Sequence, residues 1–333
     1  MTIDTSDNTG FNSSPTPMHR VSFNDGRAVF FKDETKQESG AFKIRGVRNR
    51  LRRSTTAGVV VTASTGNHGA ACALASKDMN RPCHVFVPAS TPTRKTSRIE
   101  EAGAVLHKVP GDYAACDEHA RAFAELHGGE YIPSFDDIDI IEGHTSLFTE
   151  LLEVTGPLKV LYVPVGGGGL ISAAVLTFRD TSTTVVGVEL KDAASMKQSL
   201  ARGERTAVDV PDGIAEGLCV RTIGRIPFQI LREHPVEIVE VTVADLAAAC
   251  RFLDENCGIR PELAGAAATA GMMVAPRGAG VTACVVSGGN IDAATWNEQV
   301  LGLPRLHAAH RSNRILSQKA RSRSSLSRKR LAW

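Results

Sequence analysis

Short apolar runs alternate with amphipathic stretches along most of the chain. "AGVVVTAS" (57–64) has the length of a buried strand, and "GNHGAACALASKDM" after it is predicted to be a helix. The same order recurs in "PCHVFVP" (82–88) and "TPTRKTSRIEEAGA" (91–104). Later runs of strand length are "VLHKVP", "KVLYVPV" (159–165), "TTVVGVEL" (183–190), "EIVEVT" (237–242) and "TACVVSG" (282–288). This alternation predicts an α/β fold with parallel sheets that helices cover on both faces.

Three glycine-containing loops, "STGNHGA", "GGGGL" and "SGGN", follow predicted strands, where ligands of such sheets collect. In "VPVGGGGLISAAV" four glycines lead from a strand into a helix, so backbone N–H groups can close around an anion. The segment lacks the G-K-[ST] of a nucleotide P-loop and the spaced G-x-G-x-x-G of a dinucleotide site. It therefore predicts a phosphate cradle, with a plain flexible turn as the alternative.

The loop "TASTGNHGAACALA" (62–75) has the same layout and carries hydroxyls at Ser64 and Thr65 and an amide at Asn67. Such groups at a helix N-terminus suit a carboxylate, although an ordinary helix cap uses the same residues. Upstream, "ESGAFKIRGVRNRL" (38–51) places Lys43 directly after Phe42, on what is otherwise an ordinary solvated stretch. A phosphate cradle, a carboxylate cradle and a lysine flanked by an aromatic residue together suggest a cofactor with an amine-reactive aldehyde, since a lysine forms a Schiff base when desolvation lowers its pKa.

The segments "SGAFKIRG", "STGNHG", "VPVGGGGL" and "VVSGGN", in this order, resemble the tryptophan-synthase-β-like (fold type II) pyridoxal-phosphate enzymes. Within them the chain is most similar to the serine/threonine dehydratases, over nearly all of residues 15 to 295. The resemblance implies two open, mostly parallel twisted sheets flanked by helices, and a Schiff-base lysine at Lys43. It further implies that the cofactor is held by Phe42, Asn67, Gly166, Gly167, Gly168, Gly169, Leu170 and Ser287.

A second likeness, in "FDDIDIIEGHTSLFTELLE" and "EGLCVRTIGRIPFQILREHP", is to the L-serine dehydratase branch. That branch binds a monovalent cation with a glutamate and nearby oxygens. The matching positions here are Glu189, Ala193, Ser195, Leu218 and Val220. The family's members that bind divalent metals carry Asp at the position of Ser195, so K⁺ is favoured over Mg²⁺. The alternative is a strand-end loop with a solvated glutamate.

The chain also departs from the family pattern. Ala41 replaces the usual Ser before Phe-Lys, and Leu263 replaces the Pro of a Glu-Pro-x-Gly-Ala segment. Thr65 stands where most similar dehydratases have Ala and where serine racemase has a Ser that protonates Cα. His68 and His144 are candidate substrate contacts, or equally packed histidines.

The resemblance implies β-elimination: L-serine, L-threonine or a related β-hydroxy amino acid is dehydrated and deaminated to a 2-oxo acid and ammonia. A racemase or a β-replacement enzyme would use the same cofactor contacts. A more distant alternative is a non-catalytic binding protein that acts through its tail. That tail, residues 304–333, has nine Lys/Arg and no Asp/Glu and is predicted to be disordered. Nucleic acid is not the expected partner, since a solvated extension explains the composition as well.

The length of 333 residues suits one large α/β domain or two modest ones. We expect a large cofactor domain (1–52 and 139–303) and a small domain for the substrate carboxylate (53–138). The seven cysteines are scattered singly, which is typical of free thiols in the cytoplasm and argues against a zinc site. Neither an export signal nor a membrane span is expected. The resemblance also implies a homodimer.

Overall fold

The computed structural model of the protein describes residues 15–23, 26–278 and 280–303, without the side chains of residues 94 and 95. The predicted basic tail lies outside the described residues. Ten strands are present in the described chain. They are β1 (Met18–Ser22), β2 (Ala28–Asp33), β3 (Val60–Ala63), β4 (Cys83–Pro88), β5 (Val105–Val109), β6 (Glu130–Tyr131), β7 (Val160–Pro164), β8 (Thr184–Leu190), β9 (Glu237–Val241) and β10 (Thr282–Val286).

Eleven α-helices connect or follow these strands in the described chain. They are α1 (Lys43–Arg52), α2 (Asn67–Asp78), α3 (Thr93–Glu101), α4 (Tyr113–Leu126), α5 (Ile138–Thr155), α6 (Gly169–Phe178), α7 (Ser195–Arg202), α8 (Arg225–Glu233), α9 (Val243–Cys257), α10 (Ala267–Val274) and α11 (Ala293–Gln299). Three 3₁₀ turns cover Glu34–Lys36, Lys191–Ala193 and Leu263–Ala266.

The strands form two sheets. The larger sheet has the order β1-β2-β10-β7-β8-β9 and is parallel except for the β1–β2 pair. The smaller sheet, β5-β4-β3-β6, is entirely parallel. The predicted fold class, with two mostly parallel sheets and helices between their strands, is confirmed.

Both sheets are covered by helices because their strands are apolar on both faces. β7 and β10 are buried at every residue, as expected for parallel strands that carry helices on both sides. In the larger sheet the core packs residues of α5, α6 and α8 against these strands. In the smaller sheet α1, α2 and α3 contribute to one core cluster and α4 to another.

The N-terminal part of this architecture was not predicted. β1 and β2 form an antiparallel pair at one edge of the larger sheet, and α1 begins at Lys43 itself. The sequence of α1 contains four arginines and only one apolar face. This composition suggested a stretch exposed to solvent.

The chain divides into two compact units, Met1–Ile291 and Asp292–Trp333. The first unit contains both sheets. The described part of the second unit contains α11, whose N-terminus is capped by the Asp292 carboxylate, which accepts a hydrogen bond from the Thr295 N–H. The smaller sheet lies entirely within residues 53–138, while the predicted domain boundaries themselves stay a prediction.

A buried group of charges connects the beginning of the chain with α1 and α5. Arg45 forms ion pairs with Glu34 (Nε to Oε2, 2.7 Å) and with Glu150 (Nη1 to Oε1, 2.6 Å). Lys32 also pairs with Glu150, at 2.6 Å from Nζ to Oε2, and donates to the carbonyl of Thr16. Two cations and two carboxylates therefore balance each other in a largely buried position, as buried charges must.

All seven cysteines are free thiols, as predicted. No group of three or more His, Cys, Asp or Glu side chains in the described ranges is arranged to hold a metal ion. None of the described helices combines the length and the apolar character that crossing a membrane would require.

Candidate active site

Lys43 lies at the start of α1, where the chain leaves a turn that is attached to the end of β10. The Phe42 N–H donates to the Ser287 carbonyl at 3.0 Å, and Ala41 bridges to Gly288. The Lys43 Nζ donates to the Ser134 carbonyl at 2.7 Å and lies 5.1 Å from the centroid of the Phe42 ring. Burial of the amine lowers the pKa of Lys43 to about 8. The amine is therefore fixed in place and deprotonates more readily than an ordinary lysine.

Two buried histidines lie beside Lys43. The His144 ring packs 4.8 Å from the Phe42 ring, and neither of its nitrogens has a hydrogen-bond partner in the described structure. The His68 Nε2 is 3.1 Å from the Ile132 carbonyl, while its Nδ1 is unpaired. Burial, and next the charge of Lys43, lower the pKa of His68 to about 3 and that of His144 well below its ordinary value. Both imidazoles are neutral, and their predicted contact with substrate stays a prediction.

The glycine loop follows β7 and leads into α6, as predicted. Gly168 has a left-handed backbone (φ 95°) and caps α6. A Cβ at Gly166 would collide with the Gly217 carbonyl, and one at Gly167 would collide with the Phe135 ring. The loop therefore requires glycine at these positions.

The same loop presents a row of unpaired donors. None of the successive N–H groups from Gly166 to Leu170 donates a hydrogen bond to another backbone group of the described chain. The last two of these belong to the first turn of α6, whose N–H groups have no partner inside the helix. Such a row at a helix N-terminus suits a phosphate group.

The loop between β3 and α2 lies at the carboxyl edge of the smaller sheet. Ser64 is buried, and its hydroxyl accepts a hydrogen bond from the Gly66 N–H at 3.3 Å. Thr65 is partly exposed at the tip of the loop, and Asn67 is the first residue of α2. The position of these polar groups before a helix agrees with the predicted carboxylate cradle, which itself stays a prediction.

Two residues that the sequence analysis did not single out hold the Asn67 side chain. The Asn67 Nδ2 donates to Glu262 Oε1 at 2.6 Å, and the Asn67 Oδ1 accepts from Asn290 Nδ2 at 2.7 Å. Glu262 precedes the 3₁₀ turn Leu263–Ala266, and Asn290 belongs to the "SGGN" loop. Glu262 begins the segment that resembles Glu-Pro-x-Gly-Ala and Asn290 ends "SGGN", and these motifs were the signal that could have identified both residues.

Ser287 directly follows β10, the strand between β2 and β7. It is 7% exposed, and its N–H donates to the Gly265 carbonyl at 3.2 Å. Its carbonyl accepts from the Phe42 N–H, so one backbone hydrogen bond joins Ser287 to the residue before Lys43. The fold thus brings together Phe42, Lys43 and Ser287 near one end of the larger sheet.

The residues predicted to bind a cation lie at the end of β8 and in the segments that follow it. Glu189 is buried at the end of β8, and its carboxylate accepts hydrogen bonds from the N–H groups of Met196 (2.8 Å) and Lys197 (2.9 Å). Burial raises the pKa of Glu189 to about 7. The Ser195 hydroxyl nearby is buried without a hydrogen-bond partner in the described structure, and the Leu218 carbonyl accepts from the Val220 N–H at 3.0 Å.

The chain is similar to known pyridoxal-phosphate enzymes over most of its length. A family model described as "Pyridoxal-phosphate dependent enzyme" matches residues 11–288. The L-threonine dehydratase (biosynthetic) of Mycobacterium leprae is 35% identical over 302 residues, which covers 86% of this chain and 70% of that protein. The L-threo-3-hydroxyaspartate ammonia-lyase of a Pseudomonas species is 34% identical over 285 residues, covering 83% of this chain and 89% of that protein.

A solved structure shares the fold. The processed form of threonine deaminase isoform 2 from Solanum lycopersicum superposes with a TM-score of 0.82 and 28% identity, over 87% of this chain and 83% of that one. The match of the family model, the ordered motifs and the shared fold agree with each other. The chain therefore belongs to the pyridoxal-phosphate dependent enzymes of fold type II, in the serine/threonine dehydratase family.

Proposed function

We propose that the protein uses pyridoxal phosphate to dehydrate and deaminate a small β-hydroxy amino acid, such as L-serine, L-threonine or a close relative. The relatives' names support this, because both describe removal of water or ammonia from hydroxy amino acids. The proposal depends on the state of the Lys43 amine. This amine is buried and donates a hydrogen bond to one carbonyl, and burial lowers its pKa to about 8.

The residues present fit the cofactor. Lys43 would bind its aldehyde, the N–H groups from Gly166 to Leu170 would hold its phosphate, and the Ser287 hydroxyl would face its ring nitrogen. Phe42 would pack beside the ring, and Asn67 would hydrogen-bond its phenolic oxygen. When bound, pyridoxal phosphate supplies an electron sink for the bonds broken at Cα and Cβ.

The protein's own groups bind the substrate and move the protons. Ser64, Thr65 and the backbone N–H of Asn67 would hold the substrate carboxylate at the N-terminus of α2. The neutral Lys43 amine would accept the Cα proton, which a charged ammonium cannot do. Water leaves from Cβ, and one water is consumed later in hydrolysis, so the net products are a 2-oxo acid and ammonia.

We also propose that a monovalent cation, K⁺, is held by the carboxylate of Glu189, the Ser195 hydroxyl and the carbonyls of Ala193, Leu218 and Val220. The unpaired, buried Ser195 hydroxyl beside a buried carboxylate supports this proposal. An ion with one positive charge suits a site with one carboxylate and several neutral oxygens. The measurement is the dependence of activity on K⁺ against Na⁺ at constant ionic strength.

The remaining expectations are part of the same proposal. The large domain would comprise residues 1–52 and 139–303 and the small domain residues 53–138, in a homodimer that works in the cytoplasm on a small amino acid. Thr65 favours racemase activity as the second candidate function. Its side chain, which bears a hydroxyl, is partly exposed at the tip of the loop between β3 and α2, at the position from which a racemase would protonate Cα.

The experiment is an assay of 2-oxo acid from serine, threonine and bulkier β-hydroxy amino acids, with wild type and Lys43→Ala. We expect product and a visible absorption band with wild type and neither with the variant. Chiral analysis of the remaining serine separates racemase activity, and an added thiol nucleophile separates β-replacement. A Lys43→Ala protein that kept both the band and turnover would refute the assignment.

A further inference from the structure

The side-chain amide of Asn67 is occupied on both of its ends. Its nitrogen donates to Glu262 Oε1 at 2.6 Å, and its oxygen accepts from Asn290 Nδ2 at 2.7 Å. Asn290 Nδ2 donates in addition to the Ser39 carbonyl at 2.8 Å. Four residues from distant parts of the chain thus form one continuous row of hydrogen bonds.

The direction of every bond in this row is fixed by the chemistry of its two ends. A carboxylate such as that of Glu262 can only accept a hydrogen bond, and so can the carbonyl of Ser39. Asn290 must therefore turn its NH₂ group toward Ser39, and the second hydrogen of that group goes to Asn67. Asn67 is left with its oxygen toward Asn290 and its nitrogen toward Glu262, and a reversed amide would place like groups against each other at both ends.

One donor of the row has no partner in it. The Asn67 NH₂ group has two hydrogens, and Glu262 takes one of them. The nitrogen that carries the second hydrogen lies close to Gly288, where an added Cβ would be 3.3 Å from Asn67 Nδ2. Gly288 follows Ser287 and bridges to Ala41, so this donor lies close to the turn that carries Lys43.

We propose that Glu262 and Asn290 are positioning residues that fix the orientation of the Asn67 amide. With the amide held this way, Asn67 offers an N–H, and never its carbonyl, to the phenolic oxygen of pyridoxal phosphate. The offered donor stabilises the ionised form of that oxygen, since a hydrogen bond to a charged group favours the charged form. This inference rests on the proposed function, because it concerns the cofactor of the same site.

Three variants of the full chain test the direction of the row. In Asn290→Asp the group at position 290 can only accept, so the Asn67 oxygen and the Ser39 carbonyl both lose their donor. In Glu262→Gln the new amide can still accept from Asn67, so the orientation is held by Asn290. The double variant Glu262→Gln/Asn290→Asp has the same net charge as wild type and would satisfy Asn67 only with its amide reversed.

Two measurements are made on each variant. The first is the free energy of unfolding of the protein stripped of cofactor, and the second is its dissociation constant for added pyridoxal phosphate, together with the visible spectrum of the complex. Asn256→Asp is the matched control, because Asn256 also donates to a carbonyl, that of Phe252, but on the exposed surface of α9. If Asn290→Asp does not fold, the double variant Glu262→Gln/Asn290→Ala removes both fixed partners of the Asn67 amide without adding a negative charge.

We expect Asn290→Asp to raise the dissociation constant about tenfold or more, the order of one hydrogen bond replaced by an unpaired acceptor, and to weaken the visible band. Glu262→Gln should change the constant by less than about threefold. The double variant should be more stable than Asn290→Asp, because the Asn67 amide again has both hydrogen-bond partners. Its dissociation constant for pyridoxal phosphate should stay raised, because the Asn67 oxygen now faces the cofactor.

Two results would overturn the inference. One is an Asn290→Asp protein, or a Glu262→Gln/Asn290→Ala protein, with wild-type affinity and spectrum. The other is a double variant that recovers affinity together with stability, which would reduce the row to a structural brace. Failure of the proposed function looks different, because wild type itself would then bind no pyridoxal phosphate.

Discussion

The Lys43 amine is the single group on which the chemistry depends, and its pKa gives a pH dependence. With a pKa of about 8 instead of 10.5, roughly one amine in ten is neutral at pH 7. Only the neutral amine attacks an aldehyde. We expect the initial rate at which the stripped protein takes up pyridoxal phosphate, followed by visible absorbance, to rise steeply up to about pH 8 and then level off.

Lys77 provides the control for this prediction, because it lies on the exposed side of α2. Lys77→Ala should take up the cofactor with the wild-type pH profile, whereas Lys43→Ala should take up none. An uptake rate that continued to rise toward the pKa of an ordinary lysine would show that burial does not activate Lys43.

His144 makes a prediction about acid stability. It is buried and neutral, with a pKa well below 6.5, while an unfolded chain binds a proton at its histidines near pH 6.5. The unfolded state therefore binds more protons below pH 6.5, so the folded state loses stability as the pH falls. The loss has an upper limit of about 1.4 kcal/mol per pH unit for each such histidine.

His144→Phe should remove this share of the acid dependence while it keeps a ring against Phe42. The measurement is the free energy of unfolding by denaturant at several pH values between 7 and 5, with His119→Gln on the exposed side of α4 as control. A substrate contact at His144 would instead appear as a raised KM. We expect KM to stay within about twofold, because the ring is 1% exposed and its loss removes no bond at the surface of the cleft.

The glycine loop between β7 and α6 shows how a short segment places several groups at once. Gly168 has φ of 95°, and a Cβ there would lie 2.6 Å from Pro227 Cβ and 2.7 Å from Met196 Cε. Gly168→Ala should therefore lower the free energy of unfolding by about 1–2 kcal/mol from the left-handed backbone alone, and more from the contacts. It should also weaken cofactor binding, since the phosphate donors move with the loop.

Gly278→Ala is the matched control for that substitution, because a Cβ at Gly278 meets nothing within 4 Å. Denaturant unfolding and cofactor titration of both variants give the comparison. Equal stability of the two proteins would show that the loop adapts to a side chain at position 168.

The strands and loops near the site could be predicted from sequence, because each depends on a local pattern. The runs that became β3, β7 and β10 are almost entirely apolar, and a glycine-containing loop follows each of them. Lys43 and the glycine loop were identified in the same way, from motifs whose order along the chain is informative.

The partners of these residues could not be predicted, because they depend on strand order. Ser134 is 91 residues from Lys43, and Glu262 and Asn290 are 195 and 223 residues from Asn67. No local sequence pattern indicates that β10 lies between β2 and β7. Only that placement brings the "SGGN" loop next to α1 and α2. The antiparallel β1–β2 pair was missed because β1 mixes polar and apolar residues and the apolar run of β2 is only four residues long before Lys32 and Asp33.

The buried charges around Arg45 join the N-terminal segment, α1 and α5 into one body. Removal of Arg45 leaves Glu34 without its ion pair at a position with no exposure. We expect Arg45→Met to lower the free energy of unfolding by about 3–5 kcal/mol. Denaturant unfolding at neutral pH measures the change.

Arg48, one turn further along α1, provides the comparison. It pairs with Glu38 and Asp78 near the surface, so Arg48→Met should cost less than about 1 kcal/mol. Similar losses for Arg45→Met and Arg48→Met would contradict the view that the Arg45 group holds these elements together.

The central place of β10 in the larger sheet has a consequence for synthesis on the ribosome. Its residues, 282–286, are made after every other strand of both sheets, yet they fill the gap between β2 and β7. Until they emerge, β2 and β7 each present an open edge to solvent. The Ser287 carbonyl, which binds the Phe42 N–H next to Lys43, is then also missing. A nascent chain that stalls before this point is expected to need protection by chaperones, and the enzyme can capture its cofactor only once β10 has been synthesised.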